Sequence, residues 1–281
     1  MRLRHRSWFA LGGAIAAAIA GCTLLEPLDG LSEPASALDA ASLEAAALDS
    51  SVDTGGDVAP GVDAGPFCAR VDASFCEDFD DPVSATRWTL SAVRNAAHGI
   101  DVAASTSPPA SLFAMTDALG AGQTAESYRR IDFPDRKRSL TYAFDLRIDQ
   151  RAQKGFLIAA AGLDDTANSG FTYSASLVLG DATDTLEESS EGAMKTYNDH
   201  VLGSRVPTGA WTRVSVSVRL QDTGSYALVV SLDGKAVLTE ALTLWKGFTD
   251  GKPYITVGAG YVPGPTQPWS IRMDNVTLES Q

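Results

Sequence analysis

The sequence predicts an all-β fold, two antiparallel sheets packed as a jelly-roll sandwich, and three observations predict it. From Trp211 to Leu242 the chain reads as three successive strands, WTRVSVSVRLQDTGSYALVVSLDGKAVLTEAL. Val214, Val216, Val218 and Leu220 alternate there with Arg213, Ser215, Ser217 and Arg219. A period of two gives a strand one apolar and one polar face. Second, Asp233-Gly234 is a hairpin signal, because a type I′ turn needs positive φ at both central residues. That register sets Leu232 against Lys235, Val230 against Val237 and Leu228 against Thr239. Third, short strand-like runs punctuated by Gly, Pro and Asp turns fill the chain from Glu77 onward. They carry no helical stripe and no long repeat of the kind that marks a propeller or solenoid.

The elements follow in order. MRLRHRS is basic, and WFALGGAIAAAIA is a 13-residue apolar run. That run is shorter than the roughly 20 residues a membrane span needs and reads as a signal peptide. It ends in Ile19-Ala20-Gly21-Cys22, which resembles the bacterial lipobox. The resemblance implies removal of residues 1–21, with lipid on the Cys22 thiol and on the new amino group. Thr23, standing where Asp would signal inner-membrane retention, resembles the outer-membrane default. A lipid-anchored protein of the cell envelope, facing either side of the outer membrane, is the expected address.

The formal charge is −13, and loss of Arg2, Arg4 and Arg6 with the leader takes it to near −16. An acidic surface of that size excludes nucleic acid and anionic lipid as natural partners. Residues 22–66 read as a disordered acidic tether. They carry nine acidic residues, no basic one and no aromatic before Phe67, too little apolar surface to offset the entropy of ordering. The folded domain is expected over residues 67–281. With Cys22 lipidated, Cys68 and Cys76 remain. Export favours a disulfide across FCARVDASFC at the start of the domain, and two thiols without a nearby His do not complete a zinc site.

About a dozen strands are expected within the domain. EDFD is the first, ending at Asp81-Pro82. RWTLSAV, HGIDVAAS, SLFAMTDA and ESYRRIDF follow. SLTYAFDLRID sets Leu140, Tyr142, Phe144, Leu146 and Ile148 on one face, and GFLIAAAGL and FTYSASLVLG come next. DATDTLEESSEGA reads as a loop before MKTYND and the three strands from Trp211. PYITVGAGYV and WSIRMDNVTLE close the chain.

The FCEDFD start, WTRVSVSV, VVSLDGKAV and the closing IRMDNVTLE together resemble the concanavalin A-like lectin/glucanase jelly roll, and within it the laminin-G-like modules of bacterial surface proteins. The resemblance covers about Phe67 to Gln281. It implies a last strand, carrying an Asp, that returns beside the first. It also implies a structural Ca²⁺ where those strands meet, for which Asp78, Asp80 and Asp274 supply the hard oxygen donors such an ion needs. The fold hosts lectins, glycosidases, lyases and adhesion modules alike.

Glycosidases of this fold carry Glu-x-Asp-x-x-Glu on one strand, three carboxylates on one face. This chain has only Glu187, Glu188 and Glu191 in LEESSEGA, at different spacing. Lyases of the fold remove a proton beside a carboxylate with Tyr or His. The nearest pair is His200 with Tyr197 in KTYNDHVLG, without the surrounding lyase motif. The weak catalytic candidates are therefore His200, Tyr197, Glu188 and Glu191. Sugar rings stack on flat aromatic side chains, so Tyr197, Trp245, Tyr261 and Trp269 are the candidate ligand contacts. A module that binds a glycan or surface partner without catalysis is the leading expectation. A polysaccharide-degrading glycosidase or lyase with a divergent site stands second, and a purely structural envelope protein third.

Overall fold

The computed structural model describes residues 66–81, 86–151, 154–220, 227–244 and 249–281. The leader, Cys22, nearly all of the expected tether, and Trp245 lie outside the described residues. A 3-10 turn, Phe67–Arg70, precedes fifteen strands among the described residues. The Cys68–Cys76 disulfide joins that turn to the first strand, with Cα atoms 5.5 Å apart.

One sheet contains β1 (Phe75–Glu77), β3 (Ala97–Asp101), β4 (Ser111–Thr116), β6 (Ser139–Gln150), β11 (Trp211–Arg219), β12 (Ala227–Leu232), β13 (Lys235–Ala241) and β15 (Trp269–Ser280). Their order is β13-β12-β11-β6-β15-β4-β3, with β1 beside β15 beyond the end of β4. The other sheet contains β2 (Leu90–Arg94), β5 (Thr124–Asp132), β7 (Phe156–Asp165), β8 (Phe171–Leu179), β9 (Thr185–Glu191), β10 (Lys195–Val201) and β14 (Lys252–Pro263). Its order is β10-β9-β8-β7-β14-β5-β2. All pairings between strands are antiparallel. The expected jelly-roll sandwich is the observed fold, and the last strand does return beside the first.

Strand alternation builds the core. Leu140, Tyr142, Phe144, Leu146 and Ile148 of β6 and Val214, Val216 and Val218 of β11 are buried, facing Ile158, Leu163, Tyr173, Leu177, Ile255 and Val257 of the opposite sheet. Tyr142 spans the layers, its hydroxyl donating to the Thr256 carbonyl at 2.7 Å. Burying a phenol requires such a partner.

Three local expectations are corrected. The Asp233-Gly234 turn does set Leu232 against Lys235, but a bulge beyond Ser231 moves Val230 opposite Leu238 and Leu228 opposite Glu240. The first strand ends at Glu77, and Phe79 takes a positive φ of 60°. Asp78 and Asp80 therefore do not share a strand face. TLEESSE, expected in a loop, is β9. Its inward positions hold Leu186, Glu188 and Ser190, so the inward row is not uniformly apolar and the alternation is hidden.

Candidate functional site

The outward face of the seven-stranded sheet is concave and forms a groove of about 810 Å³. Its shape follows from which residues the central strands point outward. Across one row the register runs Tyr197, Ser189, Ser174, Gly162, Tyr254, Asp132. Across the next it runs Asp199, Glu187, Ser176, Ala160, Thr256, Arg130. Small residues on β8 and β7 make a floor, and large ones on β10, β14 and β5 make walls.

Two glycines set the far wall. A side chain at Gly162 would collide with the Tyr173 carbonyl and the Tyr254 ring, so only glycine lets Tyr254 lie across β7. Gly258 takes φ 97° at the start of a bulge in β14, where a Cβ would strike the Ser127 carbonyl. Bulges re-aim side chains, and here Tyr261 comes opposite Leu157 on the groove side, 49% exposed. Tyr197 on the opposite wall is 56% exposed. The guanidinium of Arg130 lies 4.0 Å from the Tyr254 ring centroid and donates from Nε and Nη2 to Asp132. Burial opposes the Arg130 charge, but Asp132 outweighs it and holds the pKa above its ordinary value.

Charge in the groove is unevenly compensated. Arg130 is paired with Asp132 at 2.6 Å, and Lys195 reaches Glu191 at 3.9 Å and lies over the Tyr197 ring. Glu187 and Asp199 stand directly opposite one another on β9 and β10. Among the described residues neither carboxylate is in an ion pair or accepts a hydrogen bond. Burial pushes the Glu187 carboxyl up, Asp199 adds to the rise, and Lys195 opposes it.

The expected site residues divide. Tyr197 and Tyr261 line the groove. His200 does not join Tyr197, because residues three apart on a strand face opposite ways. It lies beneath the floor, its Nε2 3.1 Å from Glu188. Glu188 is fully buried and accepts the Thr243 and Leu244 N–H groups and the Thr243 hydroxyl. Neither His200 nor Glu188 can reach a ligand in the groove. Glu191 is exposed at the rim, against Lys195. Trp269 is 1% exposed and stacks on Phe156 at 4.9 Å between ring centroids, so it is core and no ligand contact.

The three carboxylates expected to hold calcium are likewise taken up within the protein. Asp78 accepts the Cys68 N–H and Asp80 the Ala110 N–H. Asp274 accepts N–H groups from Thr106, Ser107 and Asn275. No group of three or more His, Cys, Asp or Glu side chains is gathered to hold a metal among the described residues, and Asp80 keeps a buried Oδ2 without a hydrogen-bond partner.

Arg130, Tyr128 and Asp199 are groove residues that sequence reasoning did not single out, and Glu187, read there as part of an acidic loop, is turned outward by β9. The available signal was FTYSASLVL beside FLIAAAGL. Their outward positions are Ser174 and Ser176, and Ala160 and Gly162, too small to fill the face of a strand.

No protein-family model matches the chain, and no curated protein does. Solved structures do resemble it. Endo-beta-1,4-glucuronan lyase from the fungus Trichoderma reesei superposes with a TM-score of 0.57 at 13% identity, over 75% of this chain and 96% of that one. The cellulose induced protein Cip1 gives 0.53 at 14%, over 74% and 97%. The PL-14 alginate lyase from the marine Aplysia kurodai gives 0.51 at 10%, over 75% and 100%. The likeness is one of fold.

Proposed function

We propose that this domain binds a polysaccharide chain along the concave face of its seven-stranded sheet, and that a lipid on Cys22 holds it at the outer membrane through the acidic tether. One observation carries the binding reading. Tyr197 and Tyr261 stand exposed on opposite walls of a groove whose floor is Ser174, Ser176, Ser189 and Ala160. Flat rings over a small-residue floor offer pyranose faces a stacking surface, and the Ser hydroxyls and carboxylates offer sugar hydroxyls partners. Two of the structural neighbours are named as lyases of polysaccharides, which supports a glycan as the ligand.

A second reading, catalysis, has its own observation. Lys195 Nζ lies 5.1 Å from the Tyr197 ring centroid on the groove side of β10. With its proton lost, the Tyr197 phenolate can take the proton next to a uronate carboxylate whose charge Lys195 neutralises. The C–H electron pair forms the C=C bond, the C–O bond to the leaving sugar breaks, and the departing oxygen takes the proton from the phenol.

The test is retention of the full chain by a panel of insoluble polysaccharides, with the supernatant followed for released sugar and for the ultraviolet absorbance of an unsaturated end. Retention without release supports binding alone. Release with absorbance moves the lyase reading to first place. No retention and no release, from folded protein, overturns both. Replacing Cys22→Ala is expected to move the protein from the membrane fraction to the soluble one.

A further inference from the structure

The polarity of the groove points to a ligand class that its structural neighbours do not suggest. Two of those neighbours are named for glucuronan and alginate, acidic polymers. Here both basic side chains of the groove already have carboxylates of their own, Arg130 with Asp132 and Lys195 with Glu191. Glu187 and Asp199 have no ion pair or hydrogen bond to their carboxylates among the described residues, and only the more distant charge of Lys195 opposes the rise at Glu187. Directly opposed like charges on neighbouring strands disfavour the folded sheet, and among the described residues no donor relieves this pair. The pair lies in the row adjoining Tyr197, so a sugar stacked on that ring would bring its substituents over the two carboxylates. The chain also carries a formal charge of −13, which steers cations toward it and repels polyanions.

We infer that the groove selects an amino-sugar polymer, with the ammonium group of a glucosamine unit seated between the Glu187 and Asp199 carboxylates and its ring stacked on Tyr197. An ammonium supplies three donors, enough to meet an oxygen from each carboxylate. Charge-assisted hydrogen bonds of this kind are about twice as strong as neutral ones. The carboxyl of Glu187, raised by burial and by Asp199, falls once a cation arrives. N-acetylation of the same sugar removes the charge and leaves an amide with one donor, so the two polymers differ in the one feature the pair can sense.

This inference rests on the groove being a glycan site, and its test separates the two claims. The full chain is titrated calorimetrically with four oligosaccharides of matched length: glucosamine, N-acetylglucosamine, glucose and glucuronate oligomers. The expected order places glucosamine about tenfold or more ahead of its N-acetylated counterpart, with glucuronate weakest, and raised salt narrows the gap. The Glu187→Gln/Asp199→Asn variant, checked for folding by its thermal transition, is expected to bring the ratio of amine to N-acetyl affinity close to one. Wild-type protein that binds the N-acetylated or glucuronate oligomer as tightly as the amine overturns the ammonium site and leaves the glycan groove standing. An amine preference that survives in the folded double variant also overturns it. Failure of all four ligands overturns the glycan groove itself. The comparison on wild-type protein needs no variant, so a misfolded substitution does not remove the test.

Discussion

Among the described residues two pairs of carboxylates face each other across strands, and they are treated in opposite ways. On the eight-stranded sheet Asp274 stands opposite Asp145. There β15 bulges, Asn275 takes φ 50°, and Thr106 and Ser107 fold over the pair. Asp274 receives N–H groups from Thr106, Ser107 and Asn275. Asp145 receives the Thr106 hydroxyl and the Asn275 amide at 2.7 Å each, and Arg213 at 3.3 Å. On the seven-stranded sheet Glu187 stands opposite Asp199 with no such donor among the described residues. The first pair is satisfied by the protein's own backbone N–H groups and side-chain donors and so belongs to the architecture. The second lies open in the groove of the seven-stranded sheet. A buried acid is therefore weak evidence of a site until its partners are counted, and here that count separates scaffold from surface.

The contrast can be broken at either end. Asp274→Ala is expected to have the largest effect, because it takes the acceptor from the Thr106 N–H and from the buried N–H groups of Ser107 and Asn275. Each such group costs about 1–3 kcal/mol, so a net loss of about 3 kcal/mol or more by chemical denaturation is expected, with polysaccharide affinity of the remaining folded protein unchanged. Gly162→Ala comes next. Its new methyl group meets a carbonyl that cannot move and the Tyr254 ring, at a cost of about 1–3 kcal/mol. Unlike Asp274→Ala, it should also weaken binding, since Tyr254 and the Arg130 above it are displaced.

A pH series sharpens the same comparison. Burial pushes the Asp274 carboxyl up to about 6 against the hydrogen bonds from Ser107, Thr106 and Asn275. The folded state then holds a proton that the unfolded chain, with an ordinary value of 3.8, has released. Its contribution to stability is full below about pH 3.8 and is lost as pH rises through about 6. Thermal unfolding of the wild type should decline over that window relative to Asp274→Asn, which lacks the titration. The smallest effect is expected from Glu187→Gln, which relieves the repulsion with Asp199 and should raise stability by a few tenths of a kcal/mol. That gain, at a position argued to serve binding, is the usual exchange of stability for function.

Much of this was legible in the sequence, for a physical reason. Where a strand buries one face, alternation reports it. The β6 and β11 cores, the Asp-Gly turn, the return of the last strand beside the first and the Cys68–Cys76 bridge were all readable. The groove was less so, because its residues face solvent and obey no apolar period. β9 was hidden by Glu188, a buried acid whose partners His200, Thr243 and Leu244 come from other segments. Tyr197 and Tyr261, named for their chemistry, do face the groove, whereas Trp269 turns inward, because a ring beside a Pro-rich loop looks the same in sequence whichever way it points. Pairing of Asp199 with Glu187 depends on the β9–β10 register, which no local pattern supplies.

The central claim is that the concave face of the seven-stranded sheet is the glycan surface. Affinity electrophoresis through gels containing soluble polysaccharides tests it most directly, run with the wild type and with the Tyr197→Ala/Tyr261→Ala variant, whose folding is checked by its thermal transition. Both rings are half-exposed, so the melting temperature should stay within a few degrees. Loss of two stacking contacts should weaken binding about tenfold or more. Retardation of the wild type that the folded variant loses is the predicted result. Equal retardation of both proteins would contradict the account and move the glycan surface elsewhere.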